Sequence, residues 1–230
     1  MSPTLFTSRS LAVLCIAQTV IFLIPIIVLG NAIGWPASLR LPAAEILPLI
    51  SLHAGAVQFG YWAYLLVSVA MIPLAFAFRA FFMEHGIGGL WLDTATFTGA
   101  AAGVLKTFGI VRWLGAMPTL AETYGGATDP VLRQSLETVY LGLNTYGGSV
   151  GELLGVQLMS GLWLTMTGVF LMRAHHRILG AAGSLIGLTL LLLCMRTAIP
   201  AVAALQTVAL SSALVWYVAM AVSTLRSSAK

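Results

Sequence analysis

Charge is what this sequence has least of. Eleven Lys and Arg and seven Asp and Glu make up 8% of its 230 residues, while 59% are hydrophobic and the mean hydropathy is +0.97. A soluble domain carries about 25% charged residues. So sparse a set cannot cover a water-facing shell, which excludes a soluble globular protein and makes lipid the solvent for most of the chain. The net charge of +4 does not point to nucleic acid, because the basic residues are scattered near the ends of apolar runs and form no patch. The partner implied instead is the lipid bilayer.

Cysteine is also scarce. Cys15 and Cys194 both fall inside apolar runs and read as small buried hydrophobes, so a disulfide framework or thiolate metal site is not expected. The four histidines, His53, His85, His175 and His176, lie outside the apolar runs. That leaves no axial pair for haem and no histidine beside a nucleophile within a span. No metal and no cofactor is expected. No catalytic signature stands out, and whether the protein is an enzyme stays open at this level.

What the sequence does have is long apolar runs. Six segments are fit to cross a bilayer, at about 11–29, 57–78, 90–113, 139–172, 178–195 and 202–225. The first run is near the ~20 residues a span needs and longer than a signal-peptide core, so it reads as a retained span. The expectation is all-α: one polytopic transmembrane bundle of six helices over residues 1–230. Arg9, Arg79, Arg173, Arg177, Arg226 and Lys230 fall on one side, which places both termini in the cytoplasm by the positive-inside rule. Trp35, Trp91, Trp113 and Trp216 suit near-interfacial positions.

Two connections stand out. Residues 42–50 are apolar but too short to span, and read as an interfacial or re-entrant segment. Residues 119–137 form the most polar stretch. Within it, Asp129-Pro130 has the form of a helix start, with aspartate as cap and proline at the first helical position. The fourth helix then begins outside the membrane, and Gly147-Gly148 is where it is expected to bend.

Inside the fourth run lies Glu152. A carboxylate at membrane depth costs roughly 2.5–3.5 kcal/mol on insertion scales, so it is expected to face the bundle interior with a partner. Lys106 in the third run, at matching depth, is the candidate. The pair reads either as a functional centre or as an ion pair that only fixes helix register. Arg112, Asn144, Tyr146, Gln157 and Arg196 form a wider candidate ring around it. Arg112 and Arg196 are placed to attract an anionic headgroup or solute, or simply to snorkel to the interface. Asp93 reads as a helix cap or a second polar site.

Small residues recur at four-residue spacing. Gly147, Gly151 and Gly155 in the fourth run and Gly99 and Gly103 in the third are expected to bring those two helices into close contact, and Gly183 and Gly187 repeat the pattern in the fifth. Arg173, His175, His176 and Arg177 form a juxtamembrane basic group suited to anionic lipid.

The residues Gly34-Trp35-Pro36-Ala37-Ser38-Leu39, Arg112-Trp113, Asn144 and Gly151-Glu152-Leu153-Leu154-Gly155 resemble a family of uncharacterised bacterial six-span membrane proteins, a domain of unknown function. The resemblance implies a multi-pass protein of the bacterial inner membrane and assigns no catalytic residue. Three functions are compatible with the sequence. The leading one is a membrane protein whose polar centre binds, senses or transports a small solute or protons. The second is a non-catalytic subunit that works with a membrane-protein partner or as a homo-oligomer. The third is a membrane enzyme acting on a lipid-soluble substrate through Glu152.

Overall fold

The computed structural model describes residues 5–228, and side chains within 7–226. Among these residues all regular structure is helical. That is the expected outcome for a backbone placed in hydrocarbon, where each N–H and C=O must find a partner within its own segment. In chain order the helices are α1 (Leu5–Ile33), α2 (Ala43–Leu52), α3 (Ala54–Glu84), α4 (Leu90–Leu114), α5 (Ala116–Gly126), α6 (Pro130–Gly148), α7 (Ser160–Arg173), α8 (Arg177–Leu193) and α9 (Leu205–Ser228). A π-helical stretch, Ser149–Met159, joins α6 to α7 without a break, and 3-10 turns occupy Ala37–Arg40 and Pro200–Ala204.

Among the described residues, five stretches are long and apolar enough to cross a membrane: Thr7–Ile33, Ala54–Glu84, Leu90–Gly126, Pro130–Arg173 and Pro200–Arg226. α8 has 17 residues, about 25 Å at 1.5 Å per residue, a little short of a hydrocarbon core of about 30 Å. The sequence places a sixth span there, and the helix found is apolar but shorter than the others.

Neighbouring helices run antiparallel. Thr7 Oγ1 donates to Glu84, Gln18 Nε2 to the Val67 carbonyl, and Gly60 packs under Leu29, which aligns α1 against α3 along its length. The same alternation carries through α4, the α6–α7 helix, α8 and α9. One end of the bundle therefore collects 85–89, 174–176 and the ends of α1 and α9. The other collects 34–53, 115–129 and 194–204.

The core divides in the same way. At the first end, Phe78 packs edge-on to Trp163 (centroids 5.4 Å apart) and stacks on Trp216 (5.8 Å), within a cluster that also buries Phe81, Phe82, Leu171 and Met220. At the second end α2 lies on α5, and Ile46, Leu47 and Ile50 join Met117, Leu120 and Ala121 in a separate cluster. The apolar segment at 42–50 is thus a short helix covering the second end. Trp113 and Trp216 are buried in these cores, 1% and 3% exposed, Trp113 stacked on Tyr61 and Trp216 lying over Gly183. Of the tryptophans expected at an interface, Trp91 is outward-facing and Trp35 half-buried.

The long fourth helix begins as its sequence indicates. Asp129 Oδ1 accepts from the Val131 N–H at 2.9 Å, with Pro130 at the first helical position. The expected bend at Gly147-Gly148 is a change of register: the chain passes from α to π at Ser149. π segments are rare and often mark functional sites. Asp93 does not cap α4, whose cap position is Gly89. It pairs instead with Arg79 at 3.0 Å, on the exposed surface.

Glycine contacts set how closely α4 meets the fourth helix. A Cβ at Gly151 would lie 2.9 Å from the Gly109 Cα, and one at Gly155 would lie 2.9 Å from the Lys106 backbone nitrogen. Gly99 accommodates Trp163 of α7 and Ala75 of α3, and Gly147 accommodates the Arg112 side chain. Gly103 departs from expectation. It faces Ser68 and Met71 of α3, being turned away from the fourth helix by the helical twist between positions 103 and 109. Gly187 meets Thr165 of α7, and Gly183 meets the Trp216 ring.

Candidate functional site

A cavity of about 890 Å³ opens between α4, the α6–π segment, the start of α9 and the 34–43 connection. Its walls carry Arg40, Lys106, Arg112, Glu137, Asn144, Glu152, Arg196 and Gln206, together with the aromatic rings of Trp35, Tyr61, Tyr64, Trp113 and Tyr140. It lies toward the second end of the bundle, where Pro42 and Ala43 at the start of α2 contribute to its lining. The close Gly109–Gly151 contact holds α4 and the π segment together along one wall.

Glu152 does face this interior, but its partner is not Lys106. Its Oε2 accepts from Arg196 Nη2 at 2.9 Å, and its Oε1 accepts from Gln206 Nε2 at 2.7 Å. Gly151 and Gly155 are the residues that face α4. Glu152 is one position on, and one residue's turn of the π-helical stretch carries its side chain off that face toward Arg196 and Gln206. Lys106 is therefore unpaired with it. Among the described residues the ion pairs are Arg79–Asp93 and Arg196–Glu152. Lys106 packs its backbone on Gly155 and lines the cavity from the α4 wall.

Gln157 is buried behind Arg196. With its amide nitrogen turned to the Leu193 carbonyl (3.1 Å), its oxygen accepts from Arg196 Nη1 at 3.2 Å. Arg196 is thus fixed from two sides of the π segment, by Glu152 and Gln157.

Arg112 is held by a second network. Nη1 donates to the Gly109 carbonyl at 2.6 Å and Nη2 to Asn144 Oδ1 at 3.3 Å, and Asn144 Nδ2 donates to the Leu39 carbonyl at 2.9 Å. The guanidinium lies 5.7 Å from the Trp113 ring centroid, within cation–π range. Asn144 thereby ties α6 and the 34–43 connection to α4. Tyr61 stacks on Trp113 with centroids 4.8 Å apart, and its hydroxyl is buried without a partner among the described residues. Glu137 accepts from the Tyr124 hydroxyl at 2.8 Å, joining α5 to α6 at the rim.

Of the residues expected from sequence, Lys106, Arg112, Asn144, Glu152 and Arg196 line one cavity, and Gln157 supports Arg196 from behind. Tyr146 does not join them. It is 75% exposed, on the opposite face of α6, where the helical period puts it two positions after Asn144. Sequence reasoning missed Arg40, Tyr61, Tyr64, Tyr140, Gln206 and Gly109. For Gln206 the signal was present, an amide at the start of an otherwise apolar run. The tyrosines look like ordinary span residues until the fold brings them together.

Fold and site together define an all-α membrane protein built around a charged, aromatic-lined cavity at one end of its helices. The chain belongs to the family described as Domain of unknown function (DUF4386), whose family model matches residues 12–222. No curated protein and no solved structure matches it.

Proposed function

We propose that this is a six-span protein of the cell inner membrane, with both termini cytoplasmic, that binds a small solute in the cavity between α4, the π segment and α9. The observation that carries the reading is the cavity itself. About 890 Å³ falls within the ~300–1,000 Å³ usual for small-molecule sites, and buried or half-buried charges converge on it from four separate parts of the chain. Charged residues at membrane depth generally mark a solute or ion pathway. Antiparallel packing of α8 between α7 and α9 supports the sixth crossing, with local thinning or polar flanks making up its length.

The other two functions find less support. The glycine stripes, which a partner subunit or a second copy could have used, pack inside the chain. Glu152 has both carboxylate oxygens engaged, so it would have to leave Arg196 and Gln206 before acting as acid or base. Arg173, His175 and Arg177 are exposed at the end shared with the start of α1 and the end of α9, and there they suit anionic lipid headgroups.

The test is accessibility. In a background with Cys15 and Cys194 replaced, Ala203→Cys on the cavity wall should react with a membrane-impermeant thiol reagent added from outside, and Ala75→Cys in the core should not. Failure of Ala203→Cys to react would remove the cavity from play as an open solute site. A reporter fused to the C-terminus should register the cytoplasm, and a periplasmic signal would overturn the topology.

A further inference from the structure

The charge balance of the cavity goes further and names the chemistry of its ligand; this step rests on the cavity being a solute site. Four cationic side chains line it, Arg40, Lys106, Arg112 and Arg196, against two carboxylates, Glu137 and Glu152. Glu152 is already committed to Arg196, and Glu137 accepts from Tyr124. Lys106, Arg112 and Arg40 therefore make no ion pair among the described residues, and Arg40 and Arg112 feel Glu152 only at longer range. Arg112 rests on a backbone carbonyl and an amide oxygen, neither of which neutralises it. Among the described residues, the Tyr61 hydroxyl, Trp35 Nε1 and Arg112 Nε are cavity groups able to donate that are buried without a partner, against one such acceptor, Gln206 Oε1.

A cavity with positive charge and donors in excess is completed by a group that only accepts. Uncompensated charge in a low-dielectric site is costly, so the complement is an anion with several oxygens. A phosphoryl group brings three strong acceptors, where a carboxylate brings two oxygens. The two cations on α4 are six residues apart, about 9 Å of helix rise and about 120° of turn, with Lys106 against Gly155 and Arg112 against Gly147 on either side of the Gly109–Gly151 contact, so their long side chains reach one phosphoryl group from two sides of the cavity. The volume is far larger than a phosphate ion needs, and the remaining wall is aromatic: Trp35, Tyr64 and Trp113. We propose that the cavity binds an organic phosphate, with its phosphoryl oxygens held by Lys106 and Arg112 and its organic body against that aromatic wall.

The phosphate can come from a soluble ester or from a phospholipid headgroup, and the experiment separates the two. Purified wild-type protein is titrated with inorganic phosphate, glycerol 3-phosphate, a short-chain phosphatidic acid, glycerol and choline, reading calorimetric binding and thermal midpoint. Binding of glycerol 3-phosphate or of phosphatidic acid is the expected result, and the stronger of the two identifies the source. Lys106→Gln and the exposed Arg40→Gln should each weaken it, Lys106→Gln by about tenfold or more, with the ligand-free thermal midpoint unchanged in Arg40→Gln and equal or higher in Lys106→Gln, which loses an uncompensated charge. Arg112→Gln is a harsher variant because Arg112 also holds Asn144. Affinity unchanged in Lys106→Gln overturns the proposal. So does inorganic phosphate binding as tightly as either ester. Binding of glycerol or choline alone overturns the anion while leaving a solute site. No binding by any probe, together with an unreactive Ala203→Cys, overturns both readings.

Discussion

Arg196 Nη2 donates to Glu152 Oε2 at 2.9 Å, across 44 residues of chain, with each side chain 25% exposed. The contact joins the π segment of the fourth helix to the turn after α8. Gln206, on the other carboxylate oxygen, brings in α9. One carboxylate thus fixes three elements at the cavity wall.

That relationship predicts which pair of residues is energetically coupled. Glu152→Gln and Arg196→Gln should each destabilise the protein by about 1–3 kcal/mol, since each leaves a partly buried charge without its partner. The double variant should be milder than their sum. Glu152→Gln combined with Lys106→Met should be additive within about 0.5 kcal/mol. Thermal unfolding in one detergent across the two double-mutant cycles checks this. Coupling of Glu152 to Lys106, and not to Arg196, would contradict the geometry.

Two glycines in the same helix should respond oppositely to the same change. At Gly151 a Cβ would press on the Gly109 backbone, which cannot rotate away, so Gly151→Ala should cost about 1–3 kcal/mol. At Gly142 nothing lies within 4 Å of an added Cβ, and Gly142→Ala should be neutral or stabilise by up to about 1 kcal/mol. Thermal midpoints of the two variants, measured side by side, test whether the α4 contact depends on backbone approach.

The sequence made the helices legible because apolar run length is a one-dimensional signal. The runs at 11–29, 57–78 and 90–113 fall within α1, α3 and α4, and Asp129-Pro130 marks the start of α6. The polar residues of the site were legible for a related reason: charges are so few that any within a run stands out. What could not be read was direction. Whether Glu152 faces α4 or α9 depends on one position of helical phase, and the π register beginning at Ser149 is not announced by residue type. Tyr146 and Gly103 depart from expectation for the same reason, since each is turned to another face of its helix. Tyr61 and Arg40 needed the tertiary fold, because nothing local distinguishes a cavity tyrosine from a core one.

The opposite end of the bundle carries a pH-dependent term. His176, in the connection between α7 and α8, lies with its ring 6.2 Å from that of His85, and its Nδ1 is 3.3 Å from Ser223 Oγ. Partial burial, followed by the nearby His85 and His175, pushes its pKa below the ordinary 6.5. The unfolded chain therefore binds a proton that the folded state resists, and stability rises with pH through that range. Its contribution is fully present above about 6.5 and is lost as the pH falls toward the lower folded value. The thermal midpoint should drop on acidification from about pH 7.5 to about pH 5.5, across the ordinary histidine range. The drop should be smaller in His176→Gln, which stays neutral throughout. An equal drop in both proteins, or a midpoint that rises on acidification, would show that His176 is not the group responsible.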